Sequence, residues 1–293
     1  MAEKLIKAAV VGVGHLGRHH ARLYAAMPDV ELVAVVDRDA ERAGQIASEY
    51  GCRALSEVQE LHGQVEAASV AVPTEFHRLV AEQLLDLGVD VLVEKPLART
   101  LDEADAINAA AERCNRLVMT GHTERFNPAV VALAGAVERP LFFEIHRLAA
   151  FSARSTDIDV VLDLMIHDLD LLLSLDGSDP VSIDAVGVPA LTDKVDIANA
   201  RIRMASGCVA NLTASRISAE AMRRVRVFQA HAYLSCDTGT RLVERADKLR
   251  EAGLRRITIS VDSIDPEVFD AMSGGRGKLE SALAGIEDRK SVV

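Results

Sequence analysis

The chain has 293 residues, 49% hydrophobic and 26% charged, the make-up of an ordinary globular protein long enough for two separate cores. Its net charge of −11 argues against nucleic acid as a partner, and no apolar run nears the ~20 residues needed to span a bilayer. Cys52, Cys114, Cys208 and Cys236 are scattered and form no metal-ligand pair, so reduced thiols, no metal and a cytoplasmic location without a signal peptide are expected.

In chain order the first element is an apolar strand, Ala8-Ala9-Val10-Val11, running into Gly12-Val13-Gly14-His15-Leu16-Gly17 and then a helix. In that setting G-x-G-x-x-G is a dinucleotide-binding fingerprint. Gly12 permits the tight turn, Gly14 lets backbone approach a pyrophosphate, and Gly17 lets the helix pack on the strand. The helix N-terminus offers free N–H groups and a partial positive charge to the phosphates. The next strand, Glu31 to Val36, ends at Asp37, where a carboxylate can accept hydrogen bonds from ribose hydroxyls. Repulsion of a 2′-phosphate by Asp37 favours NAD over NADP, a preference tempered by the adjacent Arg38.

A helix from Ala40 to Tyr50 follows, closed by Gly51. Ala67 to Val72 reads as a buried parallel strand ending at Pro73-Thr74. Glu75 to Leu87, which includes His77, returns to helical spacing and stops at Gly88. Asp90 to Val93 is a strand ending at Glu94-Lys95-Pro96, and a helix from Leu101 to Cys114 precedes a strand from Leu117 to Thr120. This alternation predicts a doubly wound parallel sheet, with ligands beyond the carboxyl ends of its strands. The expected cofactor contacts are Gly12, Gly14, His15, Leu16, Gly17, Asp37, Arg38, Pro73, Thr74, His77, Glu94 and Lys95. A lysine is usually a solvated charge, but Lys95 stands at a strand end, where it could also stabilise negative charge on a substrate oxygen.

Gly121 to Pro128 reads as the hinge into a second domain, with His122, Arg125 and Asn127 as substrate-binding candidates. The alternative is a surface loop whose arginine pairs with a carboxylate. After a strand from Leu141 to Arg147 comes an apolar helix, Asp159 to Leu173, carrying Asp163, His167, Asp168 and Asp170. Asp163 and His167 lie four apart on one face, as a structural pair or as a carboxylate that raises the basicity of an imidazole for proton abstraction. Strand-like runs follow at Val181–Val188, Ile197–Met204, Cys208–Ile217 and Arg224–Leu234, with Ser206-Gly207 as a hairpin turn. They predict an antiparallel sheet.

Taken together, Gly12-x-Gly14-x-x-Gly17, Asp37, Glu94-Lys95-Pro96, Gly121-His122 and Asp163-x-x-x-His167 resemble the Gfo/Idh/MocA oxidoreductase family over about positions 5 to 237. The resemblance implies a Rossmann domain followed by an α+β domain, and NAD(P)-linked oxidation of a sugar or cyclitol hydroxyl to a ketone. It implies that His167 is the general base, that Lys95 polarises the oxygen and that Asp163 orients the imidazole. GHTERFNPAV and RRVRVFQAHAYLS look most like the branch acting on UDP-N-acetylglucosamine. Homo-oligomers are common in the family.

Residues 238 to 293 hold ten basic and ten acidic residues, so all the net charge precedes them. Here the reading departs from the family pattern: a helix from Thr240 to Ala252, a strand from Arg256 to Val261, a helix around Pro266 to Met272 and a loop, Ser273 to Lys278. Positions 238 to 287 resemble an internal piece of the radical-SAM GTP cyclase of molybdenum-cofactor synthesis, without its cysteine cluster, so that activity is disfavoured. Asp288 to Val293 back-translates to a sequencing-adapter read. The expected organisation is therefore an NAD domain (1–120), an incomplete α+β domain (121–237) and a foreign fragment with a tail (238–293). The alternative function is a non-catalytic NAD-binding remnant in such a chimera.

Overall fold

The computed structural model describes residues 4–151, 158–247 and 257–260, grouped in two compact units, Met1–His122 and Thr123–Val293. The first unit holds six strands: β1 (Ile6–Val11), β2 (Val30–Val36), β3 (Arg53–Leu55), β4 (Ala67–Val70), β5 (Asp90–Val93) and β6 (Val118–Thr120). Every pairing is parallel, in the order β3-β2-β1-β4-β5-β6. Crossovers run through α1 (Gly17–Ala26), α2 (Ala40–Tyr50), α3 (His77–Asp86) and α4 (Leu101–Cys114). Because side chains alternate along a strand, β1 feeds two cores. Ala9 and Val11 pack with α3 and α4 residues such as Leu84 and Ile107, while Val10 packs with Ala21 and Ala47 of α1 and α2. Gly51, at φ 69°, ends α2 in the left-handed conformation expected of a helix-stopping glycine.

The second unit is an eight-stranded sheet in the order β14-β13-β12-β11-β7-β10-β9-β8. Its strands are β7 (Pro140–Leu148), β8 (Pro180–Val188), β9 (Ile197–Met204), β10 (Val209–Ser215), β11 (Met222–Gln229), β12 (Ala232–Asp237), β13 (Leu242–Asp247) and β14 (Ile257–Ser260). The sheet is mixed rather than wholly antiparallel, since β10 runs parallel to β7. One face carries the core: Phe143 and Ile145 of β7, Leu212 of β10 and Val227 of β11 pack with Leu133 of α5 (Pro128–Ala136) and Leu171 of α6 (Ile166–Asp176). All nine residues of edge strand β8 are exposed.

Two expectations are corrected. The run Arg224–Leu234 is not one strand; it bends at Ala230-His231 into the β11–β12 hairpin, with Phe228 facing Tyr233. The helix expected over Thr240–Ala252 is a strand at Leu242–Asp247, paired antiparallel with β12. Open backbone donors along β12 and a core site for Val243, 4% exposed, outweigh the helix propensity of this leucine-, glutamate- and arginine-containing stretch. The strand expected at Arg256–Val261 is present as β14, added to β13. The expected helix around Pro266–Met272, the loop Ser273–Lys278 and the tail lie outside the described residues. Just past Asp237, the Thr238 N–H donates to Arg223 O at 2.9 Å, and its carbonyl accepts from Asn127 Nδ2 at 3.0 Å.

Candidate active site

The carboxyl ends of β1, β2 and β4 surround a cavity of about 550 Å³. Gly12, Gly14, His15, Leu16, Asp37, Arg38 and Pro73 line it, whereas Gly17, also an expected contact, does not. Gly12 has φ +82°, and a Cβ on it would stand 2.8 Å from Ala71 O. A Cβ on Gly17 would fall 1.7 Å from Gly12 O, so the first turn of α1 rests directly on the turn that precedes it. Over Gly14 the space is open, the nearest heavy atom being an Arg42 nitrogen at 4.0 Å. The α1 N-terminus has no capping side chain and no acidic residue in its first turn, whereas Asp39, Thr100 and Asn127 cap α2, α4 and α5. Uncapped N–H groups, open space and a helix dipole together suit an anionic diphosphate.

Asp37 is held at the cavity wall rather than dangling from it. Its Oδ2 accepts the Val13 N–H at 2.9 Å, its Oδ1 accepts the Asp39 N–H at 2.9 Å, and Arg42 approaches to 3.4 Å. The Arg38 guanidinium lies 5.0 Å from the centre of the Phe76 ring, forming a cation–π platform on the lining. Phe76 and Arg42 were not among the expected contacts. Arg42 was legible as the residue three after the α2 cap, but nothing in the local pattern marks Phe76. These features fit a dinucleotide with its ribose at Asp37 and its diphosphate at Gly14.

Thr74, His77, Glu94 and Lys95 do not line this cavity. Thr74 opens a 3-10 turn, Thr74–Phe76, ahead of α3. His77 is buried, with Nδ1 2.9 Å from Pro96 O and Nε2 2.9 Å from Val72 O. Glu94 and Lys95 follow β5 directly, and the Lys95–Pro96 peptide is cis. His122 is half-buried, its N–H donating to Thr120 O at 2.8 Å.

In the second unit Asp163 and His167 are both half-buried on neighbouring turns. The helix is not uniform: Val161–Met165 is a π-helical turn, and α6 begins at Ile166, so Asp163 sits in the wide turn and His167 in the α-helix. Such turns often coincide with functional sites. Asp159 starts this segment by accepting the N–H groups of Val161 and Leu162, each at 2.9 Å. Arg125 makes the ion pair of the alternative reading: Nε and Nη2 donate to the two Asp170 oxygens at 2.7 and 2.6 Å. Asn127 caps α5 by accepting the Ala129 N–H at 3.1 Å. Next to His167 on α6, buried Asp168 accepts from Arg147 at 2.9 and 2.8 Å, and Arg147 also reaches Glu124 at 3.4 Å. Among the described residues no group of three or more His, Cys, Asp or Glu side chains could hold a metal ion, and no helix is long and apolar enough to cross a membrane.

Residues 6–122 match the oxidoreductase family with an NAD-binding Rossmann fold, and residues 134–235 match the GFO/IDH/MocA C-terminal domain. A UDP-N-acetylglucosamine 3-dehydrogenase from Acidithiobacillus ferrooxidans is 46% identical over 233 residues, covering 79% of this chain and 74% of that protein. A scyllo-inositol 2-dehydrogenase (NAD(+)) from Bacillus subtilis is 30% identical, covering 74% and 69%. A solved structure of the Acidithiobacillus ferrooxidans enzyme superposes with a TM-score of 0.83 at 38% identity, over 97% of this chain and 96% of the other. The match of both units to the family's two domains, with Gly12 and Gly14 of the fingerprint lining a cavity, establishes that this chain belongs to the GFO/IDH/MocA family of NAD-binding oxidoreductases.

Proposed function

We propose that the chain oxidises one hydroxyl of a sugar nucleotide of the UDP-N-acetylglucosamine type to a ketone. The observation that carries this reading is the 46% identity, over 233 residues, to an enzyme of that name. NAD, when bound, supplies the hydride acceptor. Gly12, Gly14 and Gly17 would hold its diphosphate against the α1 N-terminus, and Asp37 its ribose. His167 takes the hydroxyl proton as general base, and Asp163, one turn earlier, fixes the imidazole tautomer. Lys95 donates a hydrogen bond to the substrate oxygen and stabilises the charge that develops there. Thr74, His77, Glu94, His122 and Asn127 act by shaping these segments, and Arg125 serves through its pair with Asp170.

The test mixes the full chain with NAD and a panel of UDP-sugars and inositols, and follows NADH fluorescence. Turnover is expected with UDP-N-acetylglucosamine, and Lys95→Ala and His167→Ala each abolish it. Turnover retained in both variants overturns the site. Tight NAD binding with no turnover across the panel would instead favour a non-catalytic NAD-binding protein.

A further inference from the structure

The first unit contains a run of polar side chains that the cavity does not use. Tyr24 Oη lies 2.6 Å from Ser69 Oγ, Ser69 Oγ lies 2.9 Å from His20 Nδ1, and His20 Nε2 lies 2.8 Å from Glu94 Oε1. The far Glu94 oxygen, Oε2, accepts the Lys95 N–H at 3.3 Å. Ser69 is fully buried and Glu94 nearly so, and a Cβ on Gly121 would stand 3.3 Å from the Glu94 carboxyl. The carboxylate is therefore boxed in as well as bonded.

The chemistry of the run gives it a direction. An ionised carboxylate only accepts, so His20 Nε2 donates to Glu94. In the neutral ring Nδ1 then accepts from Ser69, and Ser69 accepts from Tyr24, so every donor points toward Glu94. Burial alone would raise the Glu94 pKa, but the hydrogen bond from His20, with that from the Lys95 N–H, outweighs it and holds the carboxyl below its ordinary range. His20 belongs to α1, the helix that closes the glycine turn, while Glu94 ends β5. One imidazole thus braces the cofactor helix against the segment that carries Lys95.

We infer that His20 is a positioning residue that, through Glu94, sets the backbone presenting Lys95. This rests on the reading of Lys95 as the lysine that contacts substrate. His20 does not line the cavity beside the glycine turn. A reacting group displaced by about 1 Å loses on the order of a hundredfold in rate.

The experiment compares full-length His20→Leu and His20→Gln, the latter keeping an N–H donor near the Nε2 position. His20→Leu should leave the NAD Kd, measured by fluorescence titration, within about twofold of wild type. It should lower kcat with UDP-N-acetylglucosamine by about ten- to a hundredfold at nearly constant KM. Amine labelling read by mass spectrometry should show Lys95 reacting at least about threefold faster relative to Lys4 and Lys7, as the brace loosens. His20→Gln should restore both values. If His20→Leu fails to fold, Ser69→Ala, which removes the partner of His20 Nδ1 and of Tyr24 Oη but leaves the His20–Glu94 bond, should show the same pattern at smaller size. The inference is overturned if Lys95 labelling is unchanged in a cooperatively folded variant, or if NAD affinity falls by the same factor as kcat/KM. Lys95→Ala that still turns over would sink the catalytic reading alone, and the labelling result would still decide whether the brace exists.

Discussion

The two units position their candidate site residues by different means. In the first, the cavity edge is shaped by backbone: Gly12 adopts φ +82°, Gly17 lies against the Gly12 carbonyl, and amide groups fix Asp37. In the second, the helix carrying His167 is fastened by charge, with Asp168 on Arg147 and Asp170 on Arg125, three residues or fewer beyond the histidine. A backbone device tolerates no side chain where none was present. A charge device tolerates replacement of both partners but not of one.

Substitution can test this contrast, beginning with the largest effect. Gly17→Ala places a methyl group 1.7 Å from the Gly12 carbonyl position and should weaken NAD binding at least a hundredfold, roughly 2.7 kcal/mol. Fluorescence titration measures this, and near-native affinity would show that the turn is not rigid. Arg147→Met leaves Asp168, 1% exposed, without its cation and should cost about 3–5 kcal/mol in urea unfolding. The double variant Arg147→Met/Asp168→Leu should regain most of that loss; no recovery would mean that packing rather than charge holds α6.

A smaller, pH-dependent effect is expected at Asp196. Burial would raise its pKa, but N–H groups from Ala190, Leu191 and Thr192 at 2.7–2.9 Å, with the Thr192 hydroxyl, outweigh it and hold the carboxyl far below the ordinary range. A folded pKa below the unfolded value of about 3.9 contributes stability that is full above that value and is lost as the pH falls toward the folded pKa. Asp196→Asn should lower Tm at neutral pH and narrow the gap to wild type as the pH drops below about 4. A gap that is constant with pH would remove ionisation from the account.

Much of this was legible in the sequence. Glycine spacing encodes the cavity directly, because positive φ and close backbone approach demand those residues. The strand ending at Asp37 and the boundaries of α2 and α4 follow from periodicity and capping residues. What stayed hidden was set by partners distant in sequence. The π-helical turn at Val161–Met165 changes the backbone ladder without changing the apolar spacing. The turn at Ala230-His231 has none of the glycine, proline or asparagine that usually marks one. Leu242–Asp247 becomes a strand because β12 offers it a partner. The commitment of Arg125 to Asp170, 45 positions away, is a tertiary fact that neither local sequence announces.

His77 has a mechanical consequence. Its two ring nitrogens lie 2.9 Å from the carbonyl of Val72, on the cavity wall, and from that of Pro96, next to Lys95. A carbonyl only accepts and a neutral imidazole carries one N–H, so the ring donates to one of these two carbonyls at a time and rests against the other. The buried ring is thus a spacer between the loops after β4 and β5, filling the gap between the cavity wall and the segment that follows Lys95.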